Sequence, residues 1–224
     1  MSLKAILFDL DGTLTDSGPG IMHCLELALT EMGEPVPPKE ILRLFVGPPL
    51  TEAFAEHCGM DLPRAEEAIR VYRKHYSAGG LFENTVYPGI PELLETLCGF
   101  GLPLYLATSK PEHYARAIME HFDLAKYFTY IGGALTDGKR REKAEVIAYV
   151  LETTGIPADE CVMIGDRKYD VEGAASFGIP TLGVTWGYGS KEELLTAGAS
   201  WIADSTGETA ETIRTLMEEK GQKS

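Results

Sequence analysis

At 224 residues the chain is long enough for one large domain or a domain carrying an insert, and with 44% hydrophobic and 24% charged residues it has the make-up of an ordinary soluble globular protein. Its 34 acidic residues outnumber 20 basic ones, a formal charge of −14 that repels nucleic-acid phosphates and anionic membranes and argues against both as partners. No apolar stretch reaches the length of a membrane span, the start shows no signal-peptide pattern, and Cys24, Cys58, Cys98 and Cys161 form no Cys-x-x-Cys pair, so a reducing, cytoplasmic setting is expected.

The first element, Ala5-Ile6-Leu7-Phe8, reads as a strand buried on both faces, as in a parallel sheet. Asp9-Leu10-Asp11-Gly12-Thr13 follows at its carboxyl end, where ligands gather in open α/β sheets. Two carboxylates at i and i+2 leave a strand on the same side, Gly12 lets the backbone turn and approach a ligand, and Thr13 can hold the turn with its hydroxyl. About seventy residues with helical spacing come next. One helix carries Ile21 to Met32, a second begins near Pro38, a third covers about Leu50 to Cys58, and a fourth opens with Pro63 at its first position and carries Ile69, Tyr72 and Tyr76. Gly47-Pro48-Pro49 interrupts them.

Alternation of helix and strand resumes at Val86. The expected elements are a helix from Ile90 to Gly99, a strand Leu104–Ala107 running into Thr108-Ser109-Lys110-Pro111, a helix from Glu112 to Phe122, and a short strand near Phe128–Ile131. A basic loop, Gly138 to Arg141, then precedes a helix with Val146, Ile147 and Val150. Cys161–Ile164 is a further strand ending in Gly165-Asp166, followed by a helix near Val171–Phe177, a strand Thr181–Val184, a loop of glycines and aromatics from Trp186 to Gly189, a short strand at Trp201–Ala203 and a last helix fading into a polar tail. All four cysteines fall in apolar patterns and are expected to pack as small hydrophobes. The implied fold is α/β, a Rossmann-like parallel sheet from residues 1–15 and 83–224, with residues 16–82 inserted as a small α-helical cap domain over the strand end that bears Asp9.

Four motifs in this order make the chain resemble phosphatases of the haloacid dehalogenase superfamily with a helical cap, and within them the phosphoglycolate phosphatase and 5'-nucleotidase-like branch. The resemblance spans essentially the whole chain. It implies that Asp9 is the nucleophile, attacking phosphorus to form an aspartyl phosphate, and that Asp11 is the general acid and base. Gly12 would border the phosphate. Thr108 would bind a phosphoryl oxygen, although a helix N-cap before Pro111 is an equal local reading, and Ser109 would add a backbone N–H. Lys143 is taken as the phosphate-binding lysine because a cation in a first helical turn opposes the helix dipole and calls for a compensating anion. Ala144 stands where the family often has proline, and Lys139, Arg140 and Arg141 make a solvated basic loop the competing reading.

Asp166 would complete a Mg²⁺ site with Asp9 and the backbone carbonyl of Asp11. Asp170 would bind a water on the metal, orient Lys143, or cap the following helix. In the cap, Arg43 and Gly47 are the candidates for reading the leaving group, with Arg73, Lys74 and His75 as alternatives. The expected activity is Mg²⁺-dependent hydrolysis of a small phosphorylated metabolite by a monomer or homodimer. A phosphomutase and a phospho-accepting receiver domain are the competing functions.

Overall fold

The structure is a computed structural model that describes residues 3–136 and 139–218. Its chain divides into two compact units, Met1–Leu14 with Val86–Ser224, and Thr15–Thr85.

The first unit is built on a six-stranded parallel sheet in the order β5-β4-β1-β6-β7-β8. Its strands are β1 (Ala5–Phe8), β4 (Leu104–Pro111), β5 (Phe128–Ala134), β6 (Cys161–Gly165), β7 (Thr181–Val184) and β8 (Trp201–Ala203). Every residue of β1 and β6 is buried, the pattern of strands covered on both faces. Phe8 is in register with Leu106 on one side and Ile164 on the other, so the segments after all three strands emerge together. Successive strands run outward from β1 in opposite directions, which makes the end of β1 a topological switch point. Helices α7 (Lys143–Thr154) and α8 (Lys168–Ala175) cover one face, where Val146, Ile147 and Val150 bury against Leu7, Tyr105, Ala107 and Met163. Each such aliphatic side chain contributes about 1.5–3 kcal/mol relative to exposure. The other helices of this unit are α5 (Ile90–Gly99), α6 (Glu112–His121), α9 (Lys191–Ala197) and α10 (Thr206–Glu218).

The second unit contains α1 (Gly18–Glu31), α2 (Lys39–Leu42), α3 (Leu50–Cys58) and α4 (Leu62–Ala78). Its chain ends form a two-stranded ribbon of β2 (Thr15–Asp16) and β3 (Thr85–Val86), which the reading of this stretch as helical throughout did not anticipate. Close packing inside it relies on Gly80, where a Cβ would sit 2.1 Å from the Cys24 sulfur of α1. Arg43–Phe45 is a 3-10 turn, so the second expected helix is cut short.

Other boundaries also move. Pro63 is the second residue of α4, behind Leu62, and Asp61 is the N-cap, its side chain accepting from Arg64 N at 3.0 Å. β4 continues through Thr108, Ser109 and Lys110 to Pro111, and β5 extends three residues past Ile131. α8 starts at Lys168 rather than near Val171. Cys24 and Cys161 are buried as expected, but Cys98 is exposed and Cys58 half-buried; all four thiols are free. Gly138 of the basic loop and the polar tail lie outside the described residues. Among the described residues no helix is long and apolar enough to cross a membrane.

Candidate active site

Three of the four motifs meet at the carboxyl ends of β1 and β6. Asp9 follows β1 and is locked to β6 by its N–H, which donates to the Ile164 carbonyl at 3.0 Å. Lys143 begins α7, and its Nζ lies 2.6 Å from Asp9 Oδ1, 2.7 Å from Asp170 Oδ1 and 3.0 Å from the Ala107 carbonyl at the middle of β4. Its side chain is only 5% exposed. A buried ammonium with three such partners is not a solvated loop residue. The first turn of α7 is compensated by Glu145, whose carboxylate accepts from Arg141 N at 2.7 Å and Glu142 N at 3.0 Å.

Carboxylate oxygens of Asp9, Asp166 and Asp170, all buried, lie within 4.8 Å of one another. Lys143 is the cation in contact with two of them. Three acids against one lysine leave an excess of negative charge in a low-dielectric site. Burial pushes the Asp9 carboxyl up to about 6, against the pull of Lys143 and with the help of Asp170. Burial, then Asp170 and Asp9, raises Asp166 well above the usual carboxylate range. Burial works against the charge of Lys143, but Asp170 and Asp9 outweigh it and raise its pKa above the ordinary lysine value. A divalent cation held by oxygen donors would relieve this excess, so the residues present fit magnesium.

Backbone closeness shapes the cluster. Gly12 has φ +88°, and a Cβ on it would lie 2.2 Å from Asp166 Oδ2. A Cβ on Gly165 would meet Asp170 Cγ at 2.3 Å, and one on Gly173, inside α8, would meet Lys143 Cγ at 2.7 Å. A mid-helix glycine costs about 1 kcal/mol relative to alanine; here its missing side chain is the channel for the Lys143 stem. Asp170 stands in the first turn of α8 and not at the N-cap position, but it does cap the helix: Oδ2 accepts from Arg167 N, the N-cap residue, at 3.0 Å, while Oδ1 faces Lys143.

Asp11 is half-buried, its carboxylate held by Lys110 Nζ at 2.7 and 3.0 Å, and its charge is the smallest of the influences that raise the Asp9 carboxyl. Nothing local in the sequence distinguishes Lys110 from any lysine before a proline; the extension of β4 is what carries it to Asp11. Thr108, 1% exposed, lies within β4 and its hydroxyl accepts from Lys110 N at 3.2 Å. The N-cap reading of Thr108 therefore fails, since α6 starts at Glu112 after Pro111. Ser109 is half-buried in the same strand.

Sequence reasoning placed a loop of glycines and aromatics after β7 but gave it no role. Tyr188 N donates to Asp166 Oδ2 at 2.8 Å, while the Thr13 hydroxyl donates to Asp166 Oδ1 at 3.1 Å, so both oxygens are held from opposite sides. Trp186 Nε1 donates to the Thr13 carbonyl at 3.0 Å and ties the loop to the first motif. Cβ atoms on Gly187 and Gly189 would lie 2.3 Å from Asp166 Oδ2 and 2.0 Å from its carbonyl oxygen. The usable signal was two glycines flanking an aromatic just past a strand end.

The candidates in the second unit do not share this pattern. Arg43, at the head of the 3-10 turn, and Gly47, with φ +111°, are exposed. Arg73 is exposed on α4, whereas Lys74 and His75 are both engaged with Glu31, at 2.8 Å each.

The profile of haloacid dehalogenase-like hydrolases matches residues 6–184, from the first strand to the end of β7. The chain belongs to that family. It is 47% identical over 189 residues to the 5'-nucleotidase of Pseudomonas aeruginosa, covering 84% of this chain and 86% of that protein. Over 189 residues it is 45% identical to the tyrosine-protein kinase PtkA of Mycobacterium tuberculosis, but spans only 64% of that protein. It is also 29% identical over 208 residues to a phosphoglycolate phosphatase of Pseudomonas savastanoi pv. phaseolicola, covering 90% of this chain and 76% of that one. Among solved structures, a predicted phosphatase from Clostridium acetobutylicum superposes with TM-score 0.92 at 45% identity, covering 96% of this chain and all of that one. The family expectation and the α/β fold are thus borne out, and the protein is a phosphatase-type enzyme of the haloacid dehalogenase-like family.

Proposed function

We propose that the protein is a Mg²⁺-dependent phosphomonoester hydrolase working through an aspartyl phosphate on Asp9, with nucleoside 5'-monophosphates as the first substrate class and phosphoglycolate as the second. The observation that carries this reading is the buried cluster itself: Lys143 is 2.6 Å from Asp9 among three carboxylates drawn together at the ends of β1 and β6. A structural ion pair needs no such excess of acid. The similarity to the 5'-nucleotidase, 47% identity against 29% for the phosphoglycolate phosphatase, supports the order of substrates.

Asp9, Asp166 and Asp170, with the Asp11 carbonyl, would hold a magnesium ion, whose chemistry there is the neutralisation of phosphoryl charge. Lys143 adds a fixed cation and Thr108 a hydroxyl toward the same oxygens. Asp9 attacks phosphorus, the ester P–O bond breaks, and Asp11 delivers a proton to the departing alkoxide. Asp11 then takes a proton from the water that attacks the aspartyl phosphate, and phosphate leaves with Asp9 restored. Lys110 would hold the Asp11 carboxylate in place after it has given up its proton and before it takes one from water. Arg43 and Gly47 are the residues of the helical unit whose exchange tests whether that unit reads the leaving group.

A phosphate-release screen across nucleoside 5'-monophosphates, phosphoglycolate, pyrophosphate and hexose 1-phosphates, with and without EDTA, tests the reading. The expected result is highest kcat/KM on a nucleoside 5'-monophosphate and loss of activity in EDTA. Release of no phosphate from any of them with Mg²⁺ present would refute it, as would isomerisation of a hexose 1-phosphate without release.

A further inference from the structure

Arg140 belongs to the stretch read from sequence as a solvated basic loop, yet its side chain is 11% exposed. Its Nη2 lies 2.8 Å from Glu112 Oε2, its Nε donates to the Gly133 carbonyl at 2.6 Å, and its guanidinium stacks 3.5 Å from the centre of the Tyr149 ring of α7. Its own carbonyl accepts from Leu135 N at 2.8 Å. A guanidinium held on every side in this way is fixed in orientation, because its planar fork leaves no rotamer freedom once two arms and a face are engaged.

The location of the pair gives it consequence. Glu112 opens α6 two residues after Lys110, which holds Asp11, and Arg140 stands three residues before Lys143, which holds Asp9. One ion pair therefore ties the segment delivering one lysine to the segment delivering the other. Gly133 makes the approach possible: a Cβ there would lie 2.7 Å from Glu112 Cα. We propose that Glu112 and Arg140 form a positioning pair that sets Lys143 and Lys110 against Asp9 and Asp11. The proposal rests on the phosphatase reading for its effect on turnover, but its effect on Lys143 can be read without it.

A purely architectural role has a definite form. β5 is an outer strand of the sheet, and Arg140 on Gly133 O together with Arg116 Nη2 on Ile131 O at 2.7 Å caps carbonyls that would otherwise invite pairing with a second chain. Arg116 shares the edge contact and pairs with the other Glu112 oxygen at 3.1 Å, and it belongs to α6 rather than to the approach to Lys143. It is the control.

In the full chain, Arg140→Met and Glu112→Gln are expected to lower kcat about tenfold with KM and Mg²⁺ half-saturation within about twofold, since a small misplacement of a catalytic group costs rate rather than binding. The double variant should lose no more than either single one, Arg140→Lys should recover part of the loss, and Arg116→Met should keep wild-type kcat. Lysine ammonium NMR supplies the independent readout: the Lys143 signal, protected by its ion pairs in the wild type, should shift or exchange away in Arg140→Met and in Glu112→Gln. Unchanged kcat and an unchanged Lys143 signal in both, with self-association in Arg140→Met, Glu112→Gln and Arg116→Met, would overturn the proposal in favour of edge capping alone. If the wild type releases no phosphate at all, the phosphatase reading fails and the Lys143 signal still decides the positioning pair.

Discussion

Lys74 in the helical unit and Lys143 in the α/β unit both end on carboxylates at nearly the same distance, 2.8 Å to Glu31 and 2.6 Å to Asp9. Their side chains are 65% and 5% exposed. Distance alone would rank the two pairs as equals. In water the first is screened and holds two long side chains at little net gain. The second stands among desolvated acids, where removing the lysine leaves buried carboxylates uncompensated. Burial, not contact length, distinguishes a charge with a task from one that decorates a surface.

The largest break in this comparison is Asp9→Asn, expected to lower turnover by at least about 10³-fold through loss of the nucleophile, in steady-state phosphate release with an unchanged circular dichroism spectrum. Lys143→Met should follow at about 10²–10³-fold in kcat, the usual effect of deleting one preorganised donor to developing charge. Gly12→Ala should cost about 1–3 kcal/mol from the positive φ and displace Asp166 besides; denaturant unfolding and Mg²⁺ titration measure the two effects.

The pH dependence sharpens the same contrast. Because burial raises the folded-state pKa of Asp9 from 3.8 to about 6, its contribution to stability is fully present below 3.8 and is lost as pH rises through about 6. In EDTA, Asp9→Asn should therefore gain thermal stability relative to the wild type between pH 4 and 7. Mg²⁺ should raise the wild-type Tm more at pH 7.5 than at pH 5, as scanning calorimetry would show. At the small end, Lys74→Ala should leave kcat unchanged and Tm within about 2 °C.

How much of this was legible varied with the kind of interaction involved. Asp9 and Asp166 could be placed from sequence because each follows a strand buried at every position, a pattern that fixes both the sheet and the end at which chemistry collects. Lys143 could be chosen among its basic neighbours only because a cation in a first helical turn is locally unfavourable. β5 was read too short because Gly132 and Gly133 have low strand propensity, but a Cβ at Gly132 would meet Val150 Cγ2 at 2.4 Å, so close packing against α7 demands what propensity disfavours. The start of α8 was hidden by a charged stretch whose Asp170 turned out to serve both the helix and Lys143. Lys110, Trp186 and Arg140 were beyond reach, since each acts through a partner at least 28 residues away in the chain.

Rapid acid quench during turnover, followed by peptide mass spectrometry, tests the central claim most directly. A phosphoryl group on the peptide containing Asp9, labile to base and missing in Asp9→Asn, is the predicted result. Steady release of phosphate with Asp9 never modified would contradict the account.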